Sequence, residues 1–394
     1  MRGLIGPLCA ALLMTACSPF GDEAADAPAT APSERQTLQS DDGTTEGVLA
    51  GGTLYLSGIL PPDSSAPVAA QTRAAMERMG QVLGKAGLDH GHVVSCHVHL
   101  ADMESYSEMN AVYGSFFDEG AYPARTTVEV PGIPGSAGVL LMCIAHADRS
   151  AISVVSPPAG ETPPAMGPYS SAVRAGRTLY VSGQGGRDPA TGQLADSTGG
   201  QARTTLQTIG AILAAGGLSV DNTAMVSSYV PPAGDSAEVA KVFDELFPPG
   251  GAPSRVPVSL SRLPGDILVE ITFVAVDDPY INRLFMHDQA PTAGSSPGAL
   301  SGGVLYASAM TGQGETFQEQ AMDALSRQRS LLQLASMDWQ HAARMTVYLA
   351  DLAAQDELMA MIADVLPGPL PAISVMQTRQ PDGARIAVDL IAVQ

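Results

Sequence analysis

Basic and aromatic residues are scarce in this chain: 20 Lys and Arg stand against 40 Asp and Glu, aromatic residues make up 5%, and there is one Trp. Binding nucleic acid takes clustered cations to neutralise phosphates, and single strands need aromatic platforms as well, so this composition disfavours nucleic acid as a partner. No segment is long and apolar enough to be a membrane helix, and the apolar run over residues 4–14 is too short to span a bilayer. There is no Gly-rich loop followed by Lys, no dinucleotide fingerprint and no Ser-His-Asp order that would converge. A nucleotide enzyme is therefore not indicated, and no cofactor is expected.

The apolar fraction, 45% of 394 residues, is enough to give two or three domains a core each. The start reads Met1-Arg2, an apolar run, then Met14-Thr15-Ala16-Cys17, the layout of a secretory signal whose end resembles a bacterial lipobox. Cys17 would then be acylated and anchor a periplasm-facing protein to the envelope, with Ser18 suiting outer-membrane sorting. The alternative is an ordinary signal peptide with an incidental Cys17. Residues 18–42, rich in Ala, Pro, Asp, Glu, Ser and Thr, have little to bury and read as a disordered tether.

The rest repeats three times. GGTLYLSGIL at 51, AGRTLYVSGQ at 175 and SGGVLYASAM at 301 each read as a strand after a turn. Each is followed by a helical pattern led by a Gln (Gln71, Gln201, Gln320), then a strand, a second helix, a Pro-containing turn and two closing strands. The order ββαβαββ predicts an α+β fold, one sheet with two helices on one face, three times over. The boundaries are residues 43–148, 164–277 and 291–394, with linkers at 149–163 and 278–290. Short linkers predict copies lying side by side.

LYVSGQ, the Gln-led helix, MNAVYGSFF and PAR together resemble the RidA/YjgF family, also called L-PSP, once per repeat from residue 45 onward. The resemblance implies chorismate-mutase-like domains and a trimer with ligand sites between subunits. Three copies in one chain then make an intramolecular pseudo-trimer, a monomer in solution, because linked neighbours outcompete other chains.

The resemblance also implies residue roles: an Arg that binds a substrate carboxylate, a Glu on the closing strand that handles water or a proton, and a Tyr that lines the pocket. Copy two matches all three with Arg255, Glu270 and Tyr169, and Ser182 and Gly183 match the pocket backbone. Copy one keeps Arg125, Ser57 and Gly58, but has Leu140 at the Glu position and Thr44 near the Tyr position. In copy three, Ile373 and Ala387 replace Arg and Glu. The family's Asn in the second helix is Asn110 in copy one and Ala240 in copy two.

Arg255 and Glu270 would alternatively pair with each other as a structural bridge. Arg125, without a Glu in its copy, reads as a ligand-anchoring charge. The expected activity is hydrolysis of small 2-imino or 2-enamino acids to 2-oxo acids and ammonia at one complete site in copy two. The alternative is a non-catalytic, envelope-anchored module that binds a small carboxylate.

His90, His92, His97 and His99 cluster in DHGHVVSCHVH, and His97 and His99 share a strand face, but no third ligand has a completing spacing, so no metal is assigned. Cys96 and Cys143 lie on strands of copy one; they form a disulfide if adjacent, or remain buried thiols.

Overall fold

The computed structural model describes residues 35–286, 290–381 and 383–394. Cys17, the signal-like segment and most of the tether lie outside the described residues.

The first repeat comprises β1 (Gln36–Gln39), β2 (Thr45–Ala50), β3 (Thr53–Leu56), α1 (Val68–Lys85), β4 (Val93–Leu100), α2 (Tyr106–Gly114), β5 (Ala124–Glu129) and β6 (Val139–His146). The second comprises β7 (Ile152–Val155), β8 (Ala172–Ala175), β9 (Thr178–Val181), β10 (Gln184–Gly185), α3 (Thr198–Ala215), β11 (Thr223–Val230), α4 (Ser236–Leu246), β12 (Ser254–Ser259) and β13 (Glu270–Val276). The third comprises β14 (Asn282–Leu284), β15 (Gly298–Ser301), β16 (Val304–Thr311), α5 (Phe317–Leu334), β17 (Ala342–Leu349), α6 (Gln355–Val365), β18 (Ala372–Gln377) and β19 (Ile386–Val393).

In the first repeat the strand order is β1-β2-β3-β6-β4-β5, and the other two sheets follow the same plan. Pairing is antiparallel except where β4 meets β5, β11 meets β12 and β17 meets β18. In each of these three cases a helix carries the chain back, as a parallel pair requires. The α+β expectation holds for all three repeats. The boundaries do not. β1 lies inside the stretch read as tether, and β7 and β14 lie inside the two stretches read as linkers. Each is a short edge strand of three or four residues whose polar or mixed sequence carries little alternation, so periodicity could not reveal it.

The period-two pattern explains how three sheets share one molecule. In β3, Leu54 and Leu56 pack under α1 and α2, while Tyr55 between them points the other way. Leu179 and Val181 flank Tyr180 in β9, and Leu305 and Ala307 flank Tyr306 in β16, in the same manner. The outer residues build three helix-on-sheet cores. Tyr55, Tyr180 and Tyr306 all enter a fourth core drawn from every repeat, so the sheets bury their second faces on one another and form a pseudo-trimer within the chain.

The repeated Gln has a structural reason. Gln71 Oε1 accepts from the Gly138 N–H at 2.7 Å, Gln201 Oε1 from Leu268 at 2.8 Å and Gln320 Oε1 from Arg385 at 2.7 Å. The same amides donate to the loop before each helix, at the carbonyls of Ala66, Ala195 and Gly314. Each buried Gln thus ties the helix start to the approach of the last strand and leaves few polar groups unpaired there.

Cys96 on β4 and Cys143 on β6 stand directly opposite each other and are joined as a disulfide within the first core. The loop it closes, with a sequence separation of 47, would restrict the unfolded chain. Replacing both cysteines by Ser is expected to lower unfolding free energy by up to about 4 kcal/mol. Urea unfolding of the two proteins under non-reducing conditions measures the difference.

Candidate functional site

The site begins with a backbone junction between repeats. Ser182, just after β9, accepts a hydrogen bond from the Arg125 N–H at 2.8 Å and donates to the Ser170 carbonyl at 2.5 Å. The next residue, Gly183, donates its N–H to the Arg125 carbonyl at 3.0 Å. Repeat one's β5 is thereby fastened to repeat two, and the Arg125 side chain is held at the boundary.

Arg125 is 3% exposed. Its guanidinium lies 5.8 Å from the Tyr106 ring, 5.1 Å from Tyr113 and 5.4 Å from Tyr169. Those π faces partly offset the cost of burying a cation. One nitrogen contacts the Tyr106 hydroxyl at 3.4 Å, and the other terminal nitrogen, Nη1, is buried without a hydrogen-bond partner. A planar guanidinium with a free donor has the fork geometry that can grip a carboxylate.

Glu270, at the start of β13, lines the same cavity of about 380 Å³. It is 5% exposed, and burial pushes its carboxyl up to about 8, against the opposing pull of Arg125 and of the Thr127 backbone N–H. It is largely protonated at neutral pH. The absence of a side chain at Gly183 leaves room for the Glu270 carboxyl, which a Cβ there would displace. Tyr169 closes the cavity from the loop before β8, its hydroxyl accepting from the Met166 N–H at 3.1 Å. Gly167 in that loop lies so close over Arg125 that a Cβ would clash with its guanidinium and press against Asn110.

The assignment of Arg255 to this site is corrected by the geometry. Arg255 does not line the cavity of Glu270. Its N–H donates to Ser308 Oγ of repeat three at 2.7 Å, which repeats at the second boundary what Arg125 does at the first. Its guanidinium stacks on Phe243 at 4.2 Å, and burial lowers it to about 10 despite Asp244 nearby. Nor does it bridge to Glu270, since β11 lies between β12 and β13. The complete set is therefore split between copies: Arg125 and Asn110 from repeat one, Tyr169, Ser182, Gly183 and Glu270 from repeat two. Tyr106 and Thr127 also line the cavity and were not singled out from sequence. The signal was there in complementary form, because copy one keeps the Arg and Asn while copy two keeps the Tyr and Glu.

The histidines serve packing. His97 Nδ1 and the Tyr229 hydroxyl lie 2.9 Å apart across repeats one and two, and burial holds His97 well below its usual range and His99 at about 3. Among the described residues no three His, Cys, Asp or Glu side chains cluster to hold a metal.

Three α+β units surround a shared core, and a buried Arg and a buried Glu line one pocket where two of the units join. The family model described as Endoribonuclease L-PSP matches residues 36–147 and 159–277, more than half of the chain, and the chain belongs to this family, the RidA/YjgF family. Its relatives include the mouse 2-iminobutanoate/2-iminopropanoate deaminase, 36% identical over 124 residues, covering 31% of this chain and 90% of the mouse protein. A RutC family protein of Pyrococcus horikoshii is 40% identical over 114 residues, covering 29% of this chain and 90% of its own. Among solved structures, TdcF of E. coli with bound serine aligns with 31% identity and a TM-score of 0.29, covering 32% of this chain and 98% of TdcF.

Because the folded Glu270 binds its proton more tightly than an unfolded Glu would, the folded state gains least from this carboxyl once it ionises. Stability is expected to fall as pH rises from about 4.5 towards about 8, the interval between the unfolded and folded values. Glu270→Gln should flatten that fall, which urea unfolding at pH 5, 6.5 and 8 would register as a smaller drop than in wild type.

Proposed function

We propose that the chain hydrolyses small 2-imino acids to 2-oxo acids and ammonia at one site, formed jointly by repeats one and two. The observation that carries this reading is the juxtaposition of Arg125, which has a free buried donor, with a Glu270 that stays protonated near neutrality. Relatives named as 2-iminobutanoate/2-iminopropanoate deaminases support it.

The substrate carboxylate binds Arg125 and fixes the imine carbon in the cavity. Its negative charge cancels part of the guanidinium's pull on Glu270, so the carboxyl remains an acid in the complex. Glu270 gives its proton to the imine nitrogen, which makes the carbon electrophilic. Water then attacks that carbon while the Glu270 carboxylate takes a proton from it, leaving a carbinolamine. Glu270 returns this proton to nitrogen, the C–N bond breaks as C=O forms, and the hydroxyl proton passes back to Glu270. One water is consumed, ammonia leaves, and Glu270 ends as it began. Imines hydrolyse readily on their own, so placement and a proton relay worth roughly 10² to 10⁴-fold are what the site must supply. The other reading, a module that only binds a small carboxylate, would use Arg125 in the same way and leave Glu270 idle.

We also propose that Cys17 carries a lipid and holds the protein on the periplasmic side of the envelope. Cys17→Ala should abolish incorporation of labelled fatty acid and release the protein from the membrane fraction.

The catalytic test follows 2-oxo acid and ammonia release from imines generated in place by an amino acid oxidase. Arg125→Ala and Glu270→Gln are each expected to lose at least about 100-fold in rate. Arg255→Ala is expected to stay within about twofold of wild type. Loss of activity in Arg255→Ala with Arg125→Ala unaffected would refute the composite site. Carboxylate binding that depends on Arg125, without turnover, would favour the binding module.

A further inference from the structure

The third boundary, where repeat three meets repeat one, holds a cavity of about 520 Å³, larger than the site of Glu270. It is built on the same plan. The Gly58 N–H donates to the Ile373 carbonyl at 3.0 Å, as Gly183 does to Arg125, and Thr45 Oγ1 donates to the Leu370 carbonyl at 3.0 Å. Its chemistry is inverted. Ile373 stands where Arg125 stands in the first site, and Leu140 stands where Glu270 does, and both line the cavity with Ile59, Leu60 and Met359.

The charges that remain offer an anion no free cation. Asp42 and Glu46 line the cavity, and Glu46 is ion-paired with Lys85 and lies 3.6 Å from the half-exposed Arg78, so no lining cation among the described residues is left without an acidic partner. Among the described lining residues, Ser374 is 1% exposed and its hydroxyl has no hydrogen-bond partner. A buried hydroxyl without a partner costs free energy that a ligand group can recover. The volume is that of a small-molecule site, and such sites combine apolar walls with a few placed polar groups.

We infer that this cavity binds an uncharged, largely apolar small molecule through Leu140, Ile373 and Met359, with the Ser374 hydroxyl meeting its single hydrogen-bonding group. The site excludes the carboxylates that the Arg125 site accepts, so one chain presents two binding chemistries at equivalent boundaries. The inference stands independently of the deaminase reading.

The test titrates the full chain with N-phenyl-1-naphthylamine, an uncharged fluorophore with one N–H, and in parallel with its anionic relative 1-anilinonaphthalene-8-sulfonate. The uncharged probe is expected to bind saturably at one site per chain, at least about tenfold more tightly than the sulfonate. Ile373→Arg, which restores the side chain tolerated at the two equivalent positions, should weaken the uncharged probe at least about tenfold and narrow or reverse the preference. Met359→Glu, at a partly exposed helix position, should weaken it likewise and serves if Ile373→Arg does not fold. Arg125→Ala should leave the titration unchanged. Absence of saturable binding, indifference to both cavity variants, or a loss in Arg125→Ala would overturn the inference.

Discussion

A serine hydroxyl on or just after a central strand ties one repeat to the next. Ser182 Oγ accepts from the Arg125 N–H and donates to the Ser170 carbonyl, and Ser308 Oγ accepts from the Arg255 N–H and donates to the Ser296 carbonyl. A parallel-paired strand end has amide groups that its own sheet does not use, and burying them unpaired would cost more than any one side-chain contact provides. The neighbouring repeat supplies the partner, so the sheets can close around a common apolar centre. Backbone links such as Glu129 to Arg262, Ser259 to Arg379 and Gly132 to Gln377 continue the same seam around the molecule. Every pocket described above is a space left beside one of these seams.

Much of this was legible in the chain. The three Gly-led strands, the Gln at each first helix and the alternation around Tyr55, Tyr180 and Tyr306 are local patterns, and local patterns fix which face of a strand is apolar. The edge strands β1, β7 and β14 were not legible, because three or four residues at a sheet margin need no alternation. The partnership of Arg125 with Glu270 was also missed, for a different reason. Residues that face each other across a seam come from different repeats, and a copy-by-copy mapping assigns each to its own repeat. Asn110 and Ala240 had pointed the right way, since the Asn travels with the Arg of its own copy and both lie beside Gly167 of the next.

The three seams have diverged by charge. The first has Arg and Glu, the second has Arg255 stacked on Phe243 with Ala387 in place of the acid, and the third has Ile373 and Leu140. Isolating a cation or a carboxyl from water is expensive, so a pocket that loses one partner gains by losing or covering the other. Arg255 lies against an aromatic face and a neighbouring Asp244, and the third seam has discarded both charges. The Cys96–Cys143 bond lies in the repeat that contributes to both the cavity of Glu270 and the apolar cavity of the third seam.

Joining the repeats in one chain changes what selection can act on. In an assembly of identical subunits every substitution is written three times, so a pocket cannot acquire a new specificity without all its siblings acquiring it too. Here each pocket has its own pair of codons for the residues that face one another, and a change such as Leu for Glu at one seam leaves the others as they were. Linkage in sequence has turned a symmetric object into one whose parts can be inherited, and can fail, separately.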